Sequence, residues 1–240
     1  MTYATAPSPE EQPPEQQPPR PAAGNSAHMI GALGAVAALS GLLLVMVYQA
    51  TLPIIEANRE ALLQEAIFDV LPGAESRAAF VIRNGAPPAE LEEGQALGDA
   101  DFYAGFDADG AFAGVALRAS AQGYQDVIRA LFGYDPNAQE IIGFRVMENR
   151  ETPGLGDKIA WDPEFLANFD GLQARINPDT GELDPPIRGV QEGAKTQPHE
   201  VDGISGATIS VDAVVTMLNR AVGERVPYIL EHLDIIEGAR

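Results

Sequence analysis

Twenty consecutive residues without a charge, Met29 to Tyr48 (MIGALGAVAALSGLLLVMVY), constrain this chain more than any other feature. At about 1.5 Å per helical residue the run reaches about 30 Å, the thickness of a bilayer's hydrocarbon core. It is read as a transmembrane helix over 29–48. Gly31, Gly34, Ala38 and Gly41 recur along it, a texture suited to close packing against neighbouring membrane helices. The competing reading is a cleavable signal peptide. Against that stand the length of the run, a preceding tail that is not basic, and the lack of a small-x-small site before polar sequence. Arg20 before the run and Arg59 after it leave the positive-inside count nearly silent.

The span divides the 240-residue chain unequally. Residues 1–28 hold seven prolines among Gln and Glu and read as a disordered tail. Paired prolines also fit an SH3-type ligand, a weaker reading. Residues 49–100 form a membrane-proximal helix and link. Ile55–Leu71 places Leu62, Leu63, Ala66, Ile67 and Val70 at helical spacing before Pro72 and Gly73 stop it. Residues 84–101, rich in Gly, Pro and Glu, read as irregular. The remainder divides into a domain over 101–225 and a C-terminal helix over 226–240.

Composition narrows the chemistry of that soluble part. Thirty-five acidic against fifteen basic residues give a net charge of −20, which opposes binding to the phosphate backbone of nucleic acids. With no cysteine, thiolate catalysis, disulfides and Cys-ligated zinc or iron–sulfur centres are excluded. His28, His199 and His232 lack metal-ligand spacing, so no protein metal centre is expected. Redox chemistry would need a bound group.

DFYAGFD, AFAGVALRAS and EIIGFRVMEN have strand character, with DADG and YDPNAQ as turns. Helical pieces are expected at 163–169, 211–222 and 226–237. The sum is an α+β fold: one transmembrane helix, then an extramembrane domain with a mixed or antiparallel sheet and flanking helices.

Two glycine-bearing stretches carry the candidate site. In Glu151-Thr152-Pro153-Gly154-Leu155-Gly156-Asp157-Lys158 the alternate glycines allow close approach of backbone to a planar ligand. Lys158, one of two lysines, suits an anionic group; the bland reading is a surface connection. The second stretch, Asp202-Gly203-Ile204-Ser205-Gly206-Ala207-Thr208-Ile209-Ser210, enters a helix and offers amides and a positive dipole end to phosphate. An N-cap by Ser210 alone is the competing reading. Neither stretch is a Walker loop or a Rossmann fingerprint.

The run DGISGAT at 202–208 resembles the flavinylation motif, D-x-x-S/T-G-A-T, of the FMN-binding domain family. VIRALFGYD at 127–135, GFRV at 143–146 and ETPGLG at 151–156 follow the family's order. With one span before the domain, residues 29–222 resemble the G-subunit family of Rnf ion-translocating electron transport complexes. The C subunit of the sodium-translocating NADH:quinone reductase is the similar alternative; the shorter length and the DKI–W continuation favour Rnf. Asn149 stands where relatives often carry histidine two residues before the ETPGLG glutamate.

The resemblance implies FMN held by a phosphoester to Thr208, with Ser205, Gly206 and Ala207 forming the turn. The flavin would dock on Glu151, Thr152, Pro153, Gly154, Leu155 and Gly156, with Lys158 assisting. The resemblance also implies attachment by a separate flavin transferase using FAD and Mg²⁺; activating the hydroxyl would be the transferase's work, since this chain offers only Asp202 as a remote candidate base. It further implies an inner-membrane, single-pass subunit with a periplasmic flavin domain and other Rnf subunits as partners. Such a subunit relays electrons between ferredoxin- or NADH-linked partners, coupled to Na⁺ or H⁺ transfer, and is a translocase component rather than a catalyst alone. A membrane-anchored binding protein without flavin is the third reading.

Overall fold

The computed structural model describes residues 26–83, 86–92 and 94–239. The proline-rich tail therefore lies, through residue 25, outside the described residues. The chain divides between Pro53 and Ile54 into two compact units.

Helix α1 (Ser26–Val70) supplies the whole described part of the first unit. Its most apolar window has a mean hydropathy of 2.4 and no buried residue. Leu, Val and Met side chains are exposed around its circumference, as suits a helix solvated by lipid. The fold is one N-terminal membrane-spanning helix followed by an α+β extramembrane domain. The second helix expected at 55–71 is instead the continuation of α1, which passes Pro53 without interruption. Proline removes one helical hydrogen bond and crowds the preceding turn, but the apolar periodicity on its C-terminal side keeps that segment helical.

In the second unit seven strands form an antiparallel sheet: β1 (Ser76–Val81), β2 (Ala89–Glu90), β3 (Phe102–Phe106), β4 (Phe112–Gln122), β5 (Val127–Asp135), β6 (Glu140–Glu148) and β7 (Leu172–Gln173). Their order is β2-β1-β3-β4-β5-β6-β7. A parallel pair, β8 (Arg188–Val190) and β9 (Glu200–Asp202), stands apart from this sheet. Only β3, β4 and β6 are among the strands expected from the sequence; β5 and the short β7, β8 and β9 are not, and β1 and β2 fall in the membrane-proximal link.

Period-two alternation gives the sheet two buried faces. Val115, Leu117, Ile128, Phe132 and Tyr134 face the larger core, which includes Val214, Met217, Leu218 and Val222 of α3 (Thr208–Glu231). On the other face Tyr103, Ala116 and Leu131 pack with Ala66, Ile67, Val70 and Leu71. The end of α1 is thus a structural layer of the domain.

The short helix α2 (Pro163–Leu166) runs into a 3-10 extension, Ala167–Phe169, which packs against β6 and β9. Asp162 caps α2 by accepting from the Glu164 amide at 3.0 Å. The two C-terminal helices expected at 211–222 and 226–237 are apportioned differently. Helix α3 continues through Gly223 and Pro227 to Glu231, and α4 spans only Leu233–Glu237. Burial of Ala221, Val222, Val226 and Ile229 on one side outweighs the weak propensity of glycine there.

Candidate functional site

The parallel strand β9 ends at Asp202, and the next five residues turn into α3. Gly206 makes that turn at φ +82°, where an L side chain is strained. Ala207 is the N-cap and contributes no side-chain cap; the first intrahelical bond runs from the Val211 amide to the Ala207 carbonyl at 3.0 Å. Ser210 is therefore inside the helix and is not the cap. Thr208 opens α3 with its side chain exposed and no hydrogen bond to its hydroxyl among the described residues. The amides of this first turn give it a positive end.

Ser210 has a different task. Its hydroxyl donates to Glu151 Oε2, a short contact between two buried groups. The Tyr124 and Gln125 amides donate to the same carboxylate at 3.2 and 3.1 Å. Burial pushes the Glu151 carboxyl up, but the Ser210 hydroxyl and the backbone amides of Gln125, Tyr124 and Asp126 outweigh it and hold the group below its ordinary range. One charge-assisted cluster thus ties the β4–β5 turn, the 151–156 loop and the start of α3 together.

Gly156 lies against this cluster. A Cβ there would meet Ser210 Oγ at 2.6 Å and Glu151 Cβ at 2.9 Å. Its role is close packing within the protein, so the expected approach to a ligand is not why glycine is needed. Leu155 crosses to the other loop, its Cδ2 lying 3.2 Å from where a Gly206 Cβ would be. Thr152 Oγ1 accepts from Gln125 Nε2 at 2.8 Å. Pro153 and Gly154 form the exposed tip; the Gly154 amide donates to Asp157 Oδ1 at 2.7 Å. Asn149 Oδ1 accepts the Glu151 amide at 3.2 Å, shaping the entry to the loop.

The structure therefore brings the two glycine-bearing stretches into contact. Between them is a cleft of about 530 Å³ lined by Tyr124, Glu151, Thr152, Leu155, Thr208 and Ile209. Tyr124 (66 % exposed), Leu155 (45 %) and Ile209 (53 %) are large apolar surfaces left uncovered at its mouth. A second cleft of about 530 Å³ meets the other side of the turn, lined by Ser205, Gly206, Thr208 and Asp212. Thr208 belongs to both. Lys158 lines neither; it faces a cavity of about 90 Å³ with Ser205, Asp162, Glu164 and Asp202.

Several contributors have weak sequence signals. Tyr124 lies in a turn distant from both stretches, and its exposed aromatic ring was the available hint. Asn168, buried on the 3-10 extension, accepts the Asp202 amide at 2.9 Å and donates to the Asp202 carbonyl at 3.2 Å. Asp202 itself accepts from the Gly193 and Ala194 amides at 2.9 and 3.1 Å, so the candidate base is committed to holding a loop. Glu192 Oε2 fixes the turn by accepting the Ser205 amide at 3.1 Å.

Apolar walls and a helix entrance beside a free hydroxyl fit a planar aromatic ligand bearing phosphate. Residues 123–223 match the FMN-binding domain family. Over 193 residues the chain is 31 % identical to the G subunit of the ion-translocating oxidoreductase complex of Methanosarcina acetivorans, covering 78 % of this chain and 87 % of that one. The Escherichia coli G subunit is 31 % identical over 172 residues, covering 69 % and 74 %. In fold the chain is similar to the crystal structure of Shewanella oneidensis NqrC, with TM-score 0.57, 20 % identity and coverage of 76 % and 97 %. The C subunit of the Na⁺-translocating NADH-quinone reductase from Parabacteroides distasonis gives TM-score 0.50 at 23 % identity, covering 65 % and 78 %. With its membrane helix and FMN-binding domain, the chain belongs to the G-subunit family of ion-translocating oxidoreductase complexes.

Proposed function

We propose that this protein is a covalently flavinylated electron relay of an Rnf-type complex, with FMN joined to Thr208 by a phosphoester. The observation that carries the proposal is the placement of an unengaged Thr208 hydroxyl at the α3 entrance, between two clefts and beside exposed Tyr124, Leu155 and Ile209. FMN bound there supplies redox chemistry that no side chain of this cysteine-free protein provides.

Attachment requires the Thr208 Oγ–phosphorus bond to form as the pyrophosphate P–O–P bond of FAD breaks. AMP departs, and the threonine proton leaves to the transferase or solvent. The hydroxyl is a weak nucleophile at its free pKa. Asp202 is occupied by amides, so activation belongs to the transferase and its Mg²⁺. Within this chain, the α3 amides would receive the phosphate, while Gly206 makes the turn and the Glu151–Ser210 cluster fixes the opposing loop. Tyr124, Leu155 and Ile209 offer apolar surface to the ring.

In this reading the domain faces the periplasm from the inner membrane, with other Rnf subunits as electron partners. The helix 29–48 has no charged side chain, so ion transfer is assigned to those partners.

Denaturing gels read for flavin fluorescence test the attachment directly. Cells with an active transferase should give a fluorescent band that survives SDS, and Thr208→Ala should remove it completely. An equal band in the variant would place the flavin elsewhere, and no band in the wild type would end the covalent reading.

A further inference from the structure

A chain with thirty-five acidic and fifteen basic residues should offer nearly every arginine a carboxylate partner. Arg83, Arg129, Arg145, Arg150 and Arg188 have one within 4.0 Å. Six others have none among the described residues, and four of these six, Arg59, Arg118, Arg220 and Arg225, line one cleft of about 1200 Å³ in the second unit, while Arg77 and Arg175 lie outside it. Arg129 lines it too, paired with Glu148 at 3.0 Å. Five of the fifteen basic residues thus face a single concavity, against the two acids Glu148 and Glu224.

The arginines are held in place, and their charge is not cancelled. Arg118 donates to the carbonyls of Gly98, at 2.8 Å, and Ala100. Arg225 donates to the Asp101 carbonyl at 3.1 Å, and Arg220 to that of Ser120. Carbonyls orient guanidinium groups without neutralising them, leaving further donors of each fork for a ligand. Arg59 has no hydrogen-bond or ion-pair partner among the described residues and is exposed. Three separate elements, α1, the sheet and α3, supply the guanidinium groups. Leu62, Leu63 and Met147 add apolar surface to the same cleft.

Convergent guanidinium groups above an apolar floor match a phosphate ester carried on an apolar body. We propose that this cleft binds such a ligand: either the headgroup of an anionic phospholipid or a soluble phosphate ester of similar chemistry. It is distinct from the clefts at Thr208, so the proposal stands independently of flavinylation. The lipid source is favoured because Arg59 and Leu63 follow the exposed apolar residues Ile54 and Ile55 on α1.

The test uses the full chain in a neutral detergent, following its melting temperature as ligand is added. Three additives are compared: phosphatidylglycerol, phosphatidylcholine and glycerol 3-phosphate. Phosphatidylglycerol should stabilise saturably and phosphatidylcholine should not. Arg59→Gln/Arg220→Gln should weaken the apparent affinity at least tenfold. Arg83→Gln/Arg150→Gln, which removes the same charge outside the cleft, should leave it unchanged. If the first double variant does not fold, Arg59→Gln alone, at an exposed side chain with no hydrogen bond or ion pair among the described residues, should still weaken binding about threefold. An equal effect of glycerol 3-phosphate identifies a soluble phosphate ester as the source. Absence of stabilisation by either phosphate compound overturns the proposal. So does undiminished affinity in the cleft variants, or equal losses in both double variants.

Discussion

At the scale of single residues, two buried carboxylates each hold a loop of the domain in place, and one of them braces the start of the helix that presents Thr208. Glu151 joins three segments through Ser210 and the amides of Tyr124 and Gln125. Ser210→Ala removes one donor and leaves a buried carboxylate undersatisfied, a loss of about 1–3 kcal/mol. Urea unfolding of the variant should show a lower midpoint with an unchanged slope. Glu200 does the same for the loop between β8 and β9. The Thr196 amide at 2.8 Å is its largest stabiliser; burial opposes, and the Gln197 amide and Arg188 add to the stabilisation, bringing the carboxyl from 4.5 to about 2. A depressed carboxyl contributes stability that is present above its unfolded value and lost as pH falls through its folded value. Glu200 therefore withdraws support between about pH 4.5 and pH 2. Melting temperatures across that range should fall less steeply in Glu200→Gln, which starts lower at neutral pH.

At the scale of elements, a row of glycines seats the end of α1 on the sheet. Gly105 pairs with Gly114, and Gly133 with Gly143, one from each of β3 to β6. A Cβ on Gly133 would come within 1.8 Å of the Val70 carbonyl oxygen, and one on Gly143 within 2.6 Å. Gly133→Ala should destabilise the domain by about 1–3 kcal/mol through overpacking. Gly98→Ala, with nothing within 4 Å, should change it by about 0.5 kcal/mol or less. These contacts also explain what the sequence made legible. Strands β3, β4 and β6 are readable because apolar residues alternate or run along them. The strand at Ser76–Val81 gives little periodicity, as its pairing with β3 supplies the order that its own residues do not. Thr208, Gly206 and the 151–156 stretch were readable as local motifs. The Glu151–Ser210 bond, spanning 59 residues, and the placement of Tyr124 needed the folded sheet. So did the diversion of Lys158 to another cavity, since adjacency in sequence to Gly156 says nothing of which side of the turn a side chain faces.

At the scale of the whole molecule, the boundary between Pro53 and Ile54 falls within α1, so one helix serves two solvents. Its first part is exposed and apolar; its last turns bury Ala66, Ile67 and Val70, and Leu71 follows them into the core. The large side chains Ile67, Val70 and Leu71 are fully buried. At about 1.5–3 kcal/mol each they contribute roughly 5–9 kcal/mol, comparable with the 5–15 kcal/mol by which domains are typically stable. A fragment beginning at Ile54 should therefore unfold cooperatively in urea and remain monodisperse without detergent. A fragment beginning at Glu75 uncovers Tyr103, Ala116 and Leu131 on the sheet face, and should aggregate or lose its cooperative transition. Equal midpoints for the two fragments would show that the end of α1 is only a tether; unequal ones make it part of the domain that carries Thr208.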